Sequence, residues 1–193
     1  MKNYIKEQIK KSYETKQSIY NDENLLLEIE KVVKLSIKLY NKKNKLILAG
    51  NGGSASDAQH ISAELVGRYN FDRPSLPALA LTTDTSALTA IGNDYGYDKI
   101  FSRQLEGMGQ KGDIFIGIST SGNSLNIIEA FITAKEKGIT TVALTGRDGG
   151  EMAKMADISL VVPSNSTPRI QESHILIGHI LCDLIEQEIF PRG

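Results

Sequence analysis

Cysteine is nearly absent: Cys182 stands alone in 193 residues, so no intrachain disulfide can form. It lies among Ile180, Leu181 and Leu184, which fits a small core side chain. Neither charge sign is in excess, with 22 Lys and Arg against 23 Asp and Glu and a formal net charge of −1. That balance excludes a broad electrostatic attraction for nucleic acid or an anionic membrane surface. No apolar run approaches the roughly 20 residues that span a bilayer, and the opening MKNYIKEQIKK is too polar for a secretory leader. Internal repeats, low-complexity tracts and long linkers are also missing. A cytoplasmic protein with no nucleic-acid or membrane partner is expected.

What is present is 40 % apolar residues, enough for a globular core. The first 45 residues read as helix. Ile5, Ile9 and Tyr13, followed by Ile19 or Tyr20, make an apolar stripe that must pack on its own domain or on a second subunit. Asp22 or Asn24 is placed to cap a second helix carrying Leu26, Ile29, Val33, Ile37 and Tyr40. From Lys45 short apolar runs alternate with helical patterns. Strands are expected at Leu46–Ala49, Ala78–Leu81, Asp113–Ile118, Thr140–Thr145 and Ile158–Val162. Helices are expected at Ser54–Tyr69, Thr85–Ile91, Tyr97–Met108, Leu125–Lys137, Gly150–Met155 and Arg169–Ile189. Continuous apolar strands between helices predict a parallel sheet covered on both faces. Residues 1–44 then form a helical extension and 45–193 the α/β domain. Such sheets bind ligands beyond the carboxyl ends of their strands, so the loops there are the ones to read.

The first loop, Gly50-Asn51-Gly52-Gly53-Ser54-Ala55-Ser56, leaves a strand and opens a helix. Its glycines let an anion approach the backbone, and the helix start supplies unpaired N–H groups. A serine-capped tight turn would look the same. The second, Ser119-Thr120-Ser121-Gly122-Asn123-Ser124, holds four side-chain hydroxyls in addition to its glycine. One Ser or Thr caps a helix; the others suit the several acceptor oxygens of a phosphate. Gly50, Gly52 and Ala55 also fit a loose G-x-G-x-x-A. The acidic residue that a dinucleotide needs about 20 positions on has no convincing counterpart after a second strand, so no nucleotide cofactor is expected.

Two groups have proton-transfer chemistry. His60 and Glu64, four residues apart, share a helix face at about 40°, as a surface ion pair also would. Gln171 and His179, eight apart on the last helix, differ by about 80°; a lone histidine among Ile177, Ile180 and Leu181 would otherwise be a core residue. His174 points elsewhere and reads as structural or interfacial. An aldose–ketose isomerase needs a base to move a proton between adjacent carbons and an acid to move one between two oxygens. Glu64 and His179 are the right groups if the fold joins them. His60, Glu64, Gln171 and His179 together are also a plausible donor set for a divalent ion such as zinc.

The stretches GNGGSASDAQHISAEL, AIGNDYGYDKIFSRQLE, GISTSGNSLNIIEA and TPRIQESHILIGHILCDLIE resemble the sugar isomerase (SIS) family, and within it the bacterial group acting on seven-carbon sugar phosphates. The likeness spans nearly the whole chain. It implies a three-layer αβα sandwich, flavodoxin-like, with a five-stranded parallel sheet and N-terminal helices, assembled as a homotetramer with active sites at subunit interfaces. It implies conversion of D-sedoheptulose 7-phosphate to D-glycero-D-manno-heptose 7-phosphate through an enediol, the first step toward heptose precursors of lipopolysaccharide or other surface glycans. By motif position Glu64 resembles the base and His179 the acid. Asn51, Gly52, Gly53, Ser54, Glu64, Asn93, Asp94, Ser119, Thr120, Ser121, Ser124 and Gln171 resemble substrate contacts. His60, Glu64, Gln171 and His179 resemble ligands of one Zn2+ per subunit. Without the resemblance, Asn93-Asp94 reads as a polar turn before Gly96. Pro168 departs from relatives that carry an acidic residue there. The rival readings are a non-catalytic SIS adaptor binding the bacterial replication initiator, a sugar-phosphate sensor within a regulator, and an isomerase of a shorter phosphosugar. Neither of the first two needs both Glu64 and His179.

Overall fold

The computed structural model describes residues 1–192. Two helices of 19 residues each come first, α1 (Lys2–Tyr20) and α2 (Glu23–Asn41). Asp22 caps α2, its Oδ1 accepting from the Leu25 amide at 3.0 Å. Then follow β1 (Leu46–Gly50), α3 (Gly53–Val66), β2 (Ala78–Ala80), α4 (Thr85–Tyr95), a 3₁₀ turn (Tyr97–Lys99), α5 (Ser102–Met108), β3 (Ile114–Ser119), α6 (Leu125–Glu136), β4 (Thr140–Gly146), α7 (Gly150–Met155), β5 (Ile158–Val162) and α8 (Thr167–Ile189). Every expected strand is present.

Three local expectations differ. α3 ends at Val66 instead of Tyr69, with Gly67 as its C-cap. α4 continues past Ile91 to Tyr95, so Asn93 and Asp94 ride its last turn; Gly96, at φ +91°, is the first residue to break the helix. The helix expected over Tyr97–Met108 is divided in two, with the 3₁₀ turn ahead of Ile100 and Phe101, both buried in the core.

All five strands are parallel, in the order β2-β1-β3-β4-β5. Leu46–Gly50 and Ile114–Ser119 are buried throughout, as both-face coverage requires. One apolar cluster joins α2, α3 and α8 to the sheet through Val32, Leu48, Ile61, Ile116, Leu144 and Ile177. The core therefore runs across the joint between α2 and β1. A second cluster covers the other face, where Phe115 and Phe131 meet edge to face at 5.7 Å. This strand order reverses direction between β1 and β3, which places a ligand crevice at the loops leaving those two strands.

His174, on α8, is a core residue. Its Nε2 lies 2.9 Å from the Thr145 carbonyl, which makes Nε2–H the donor and leaves Nδ1 without a partner among the described residues. Burial pushes its pKa down to about 4, against the smaller upward pull of the carbonyl bond. An unfolded histidine titrates near its ordinary value, so acid protonates the unfolded chain first. The stabilisation is complete above about pH 6.5 and is lost as pH falls toward 4, by about 3 kcal/mol in all. Urea unfolding at pH 7 and at pH 4.5 measures this directly. A stability unchanged over that interval is the contrary result.

Candidate active site

The cradle at the switch point is built from two helix starts. Gly52, at φ +55°, caps α3 and Ser124 caps α6, and neither makes a side-chain capping bond. The Ser54 and Ala55 amides donate to the Asn51 and Gly52 carbonyls, and the Ile127 amide to that of Ser124, so the amides left for a ligand are those of Gly53 in α3 and of Leu125 and Asn126 in α6. The Ser124 hydroxyl instead lies 2.8 Å from Ser119 Oγ, and Ser121 Oγ is 3.4 Å from the same atom. Ser119 is buried, while Thr120 and Ser121 are half-buried. Capping does not account for these hydroxyls, and their grouping around one point suits an anion with several acceptor oxygens.

The two loops are tied together. Asn51 and Asn126 exchange reciprocal amide bonds of 2.9 Å each, and Tyr97 Oη donates to Asn51 Oδ1 at 3.0 Å. The Asn51 side chain thus ties the two loops together, while its carbonyl accepts from the Ser54 amide at 3.0 Å. Behind the second loop, Gly122 (φ +68°) and Gly150 (φ +57°) pack backbone on backbone: a Cβ on Gly150 would lie 2.6 Å from the Gly122 carbonyl oxygen. Met152 N–H donates to that oxygen at 2.9 Å, and Asn123 bridges the Glu151 amide and the Ser121 carbonyl.

From this cradle α3 runs beside α8. Gly178 allows a close crossing, since a Cβ there would come within 2.6 Å of Ile61. The crossing brings three of the expected residues to one atom. His60 Nε2 lies 2.9 Å from His179 Nε2 and 3.3 Å from Glu64 Oε1. Tyr69 flanks His179, with ring centroids 5.8 Å apart. Glu64 is three-quarters covered, its side chain retaining 25 % of its exposure, against 48 % for His60. Asp57 belongs to the same face of α3; burial raises its carboxyl to about 6, opposed by His60, and its Oδ2 has no partner among the described residues. Gly53, Asp57, His60 and Glu64 fall within about 60° around the helix, and Gly53 precedes His60 by about 10 Å along the axis.

Gln171 stands at the other end of that face. Its Nε2 occupies the space over Gly53, 2.5 Å from where a Cβ would be, about 12 Å of helix away from His179. The structure does not bring it to the His60–Glu64–His179 point. Asn93 and Asp94 are exposed and bond to each other, Nδ2 to Oδ1 at 2.8 Å, rather than to either loop. Ser54 is buried in the first turn of α3. Asn126, Tyr97 and Tyr69 went unnoticed in the sequence. Asn126 alone carried a signal, being a polar residue on the apolar face of its helix, where a buried amide needs a partner.

Three donors converging from two helices suit a zinc ion chemically. The geometry is that of a hydrogen bond: two nitrogens on a tetrahedral zinc stand about 3.3 Å apart, more than the 2.9 Å seen here. No group of three metal-binding side chains stands in ready ligating geometry among the described residues.

A parallel sheet with a phosphate-type cradle at its switch point and a carboxylate–imidazole cluster beside it defines a sugar-phosphate-binding α/β domain, and the SIS domain model matches residues 10–146. The chain belongs to the SIS-domain family. Within that family it is similar to phosphoheptose isomerases. It is 79 % identical to the one from Sulfurimonas denitrificans over all of this chain and 99 % of that protein. The solved structure of phosphoheptose isomerase GmhA from Neisseria gonorrhoeae superposes with a TM-score of 0.91 at 45 % identity, covering 96 % of this chain and 98 % of that one. A phosphoheptose isomerase structure from Francisella tularensis gives 0.92 at 38 % identity, covering 96 % and 97 %.

Proposed function

We propose that this chain is an aldose–ketose isomerase converting D-sedoheptulose 7-phosphate to D-glycero-D-manno-heptose 7-phosphate. The observation that carries the reading is the meeting of Glu64 and His179 at His60 Nε2, on the helix face that begins at the phosphate cradle. The phosphoryl group rests on the free amides of α3 and α6 and on the hydroxyls of Ser119, Thr120, Ser121 and Ser124. The remaining carbon chain lies along α3. The roughly 10 Å of helix between Gly53 and His60 matches the length of a six- or seven-carbon chain. Glu64 takes a proton from C1 of the ketose and returns it to C2, while His179 moves a proton between O2 and O1. The names of relatives identical at 79 % and 45 % supply the seven-carbon assignment. Incubation with sedoheptulose 7-phosphate beside shorter ketose phosphates, with product identification, tests it. Turnover of the shorter sugars alone would overturn it.

His60, Glu64 and His179 are the residues that would hold a zinc ion. A bound zinc would polarise the sugar's carbonyl and hydroxyl oxygens. A carboxylate has two oxygens, so Glu64 can serve a metal with one and a proton with the other. Near-stoichiometric zinc is expected by elemental analysis of the purified protein, with the content lost in His60→Ala. Retention of zinc in that variant would place the ion elsewhere. The enzyme acts in the cytoplasm, feeding heptose precursors of surface glycans. It works as a homotetramer whose contacts include the α1 stripe, where Tyr4, Ile5, Ile9 and Tyr13 are 55–65 % exposed.

A further inference from the structure

A buried ion pair lies outside the cluster but is bonded to both helices that form it. Arg73 and Glu186 are joined Nε to Oε2 at 2.9 Å, with side chains 2 % and 0 % exposed. Arg73 caps the end of α3: Nη2 donates to the Glu64 carbonyl at 2.9 Å and Nη1 to those of Leu65 and Gly67 at 2.7 and 3.1 Å. Those carbonyls have no partner within the helix, and a guanidinium there also suits the helix dipole. Glu186 lies two turns beyond His179 on α8. Its carboxylate accepts from the amides of Tyr69 and Asn70 at 2.8 and 2.7 Å. Burial alone would raise its pKa, yet the two amides and the guanidinium outweigh burial and hold it below the ordinary value. Those amide bonds fix the segment after α3 so that the Tyr69 ring rests against the His179 imidazole, 5.8 Å between centroids and tilted by 42°.

We propose that the Arg73–Glu186 pair is a clamp that positions Glu64 and His179 for proton transfer, and that Tyr69 is the contact through which it orients the imidazole. This rests on the isomerase reading above. Stability alone is a weak reason for such a pair, because buried ion pairs are commonly replaceable by apolar residues at little cost. What an apolar pair cannot do is bond the Glu64 carbonyl and the Tyr69 amide together. Arg73, Glu186 and Tyr69 are positioning residues: the proton moves between the substrate and Glu64 or His179 only.

The test compares Tyr69→Leu and Tyr69→Phe in the full-length protein. Tyr69→Leu is expected to lower kcat about tenfold, the scale of a sub-ångström misplacement, with KM within about twofold because the cradle is untouched. Tyr69→Phe keeps the ring and restores kcat. Imidazole NMR supplies a readout that does not depend on turnover: of the three histidines, His179 shifts in Tyr69→Leu while His174 does not. Glu186→Gln, which weakens the hold on Tyr69, moves the same signals in the same sense. A Tyr69→Leu variant with normal kcat, or a Glu186→Gln variant whose His179 signals do not move, overturns the proposal. Absence of sedoheptulose 7-phosphate turnover in the unaltered protein overturns the isomerase reading instead, so the two failures are told apart.

Discussion

Glu64→Gln is expected to lower kcat about a thousandfold while leaving the fold and phosphate binding intact. The amide has the shape of the carboxylate but cannot accept a proton from carbon. In the wild type Glu64 Oε1 faces His60 Nε2 at 3.3 Å, a contact that a glutamine carbonyl can keep, so the cluster is not expected to collapse. KM and inhibition by inorganic phosphate should stay within about threefold of wild type, since they report uniform binding at the cradle. Circular dichroism and thermal melting check that the fold is unchanged. Near-normal turnover would remove Glu64 from the chemistry.

Gly122→Ala is expected to have the second-largest effect, through the other end of the site. Gly122 sits at φ +68°, and an added Cβ would press into the backbone of Gly149 and Gly150, with Gly150 N only 2.9 Å away. Neither partner is a flexible side chain, so the serine loop itself must move. The substitution also places a methyl group in a left-handed conformation that alanine disfavours. A displacement of about 1 Å in a positioning loop can cost about a hundredfold, so kcat/KM should fall by that order, with inhibition by inorganic phosphate weakened in parallel. The change in phosphate inhibition separates this variant from Glu64→Gln. A Gly122→Ala protein with unaltered phosphate inhibition would show that the loop does not hold the phosphoryl group.

The sheet was readable because its inner strands are covered on both faces and so appear as unbroken apolar runs, as in Leu46–Ala49 and Ile114–Ile118. The strand order 2-1-3-4-5 was not visible in those runs, because it depends on how the crossovers pack and not on any local pattern. The cradle was readable because Ser119–Ser124 carries more hydroxyls than a cap can use, and Ser124 indeed makes no capping bond. His60 and Glu64 followed from helical spacing. Their meeting with His179 did not, because it depends on α3 and α8 running side by side across Gly178. Asn51 illustrates the limit most clearly. Its place in the first loop was legible, but its amide pairs with Asn126, a residue 75 positions away that no local pattern connects to it. Arg73 and Glu186, separated by 113 residues, were hidden for the same reason.

One structure decides whether a single sugar spans cradle and cluster: Glu64→Gln crystallised with sedoheptulose 7-phosphate. The phosphoryl oxygens should lie on the amides and hydroxyls of Ser119–Ser124, with C1 and C2 within about 3–3.5 Å of residue 64 and the O1–O2 edge in hydrogen-bond reach of His179. A sugar whose phosphate rests away from the serine loop, or whose C1–C2 end lies out of reach of both residues, would contradict the mechanism.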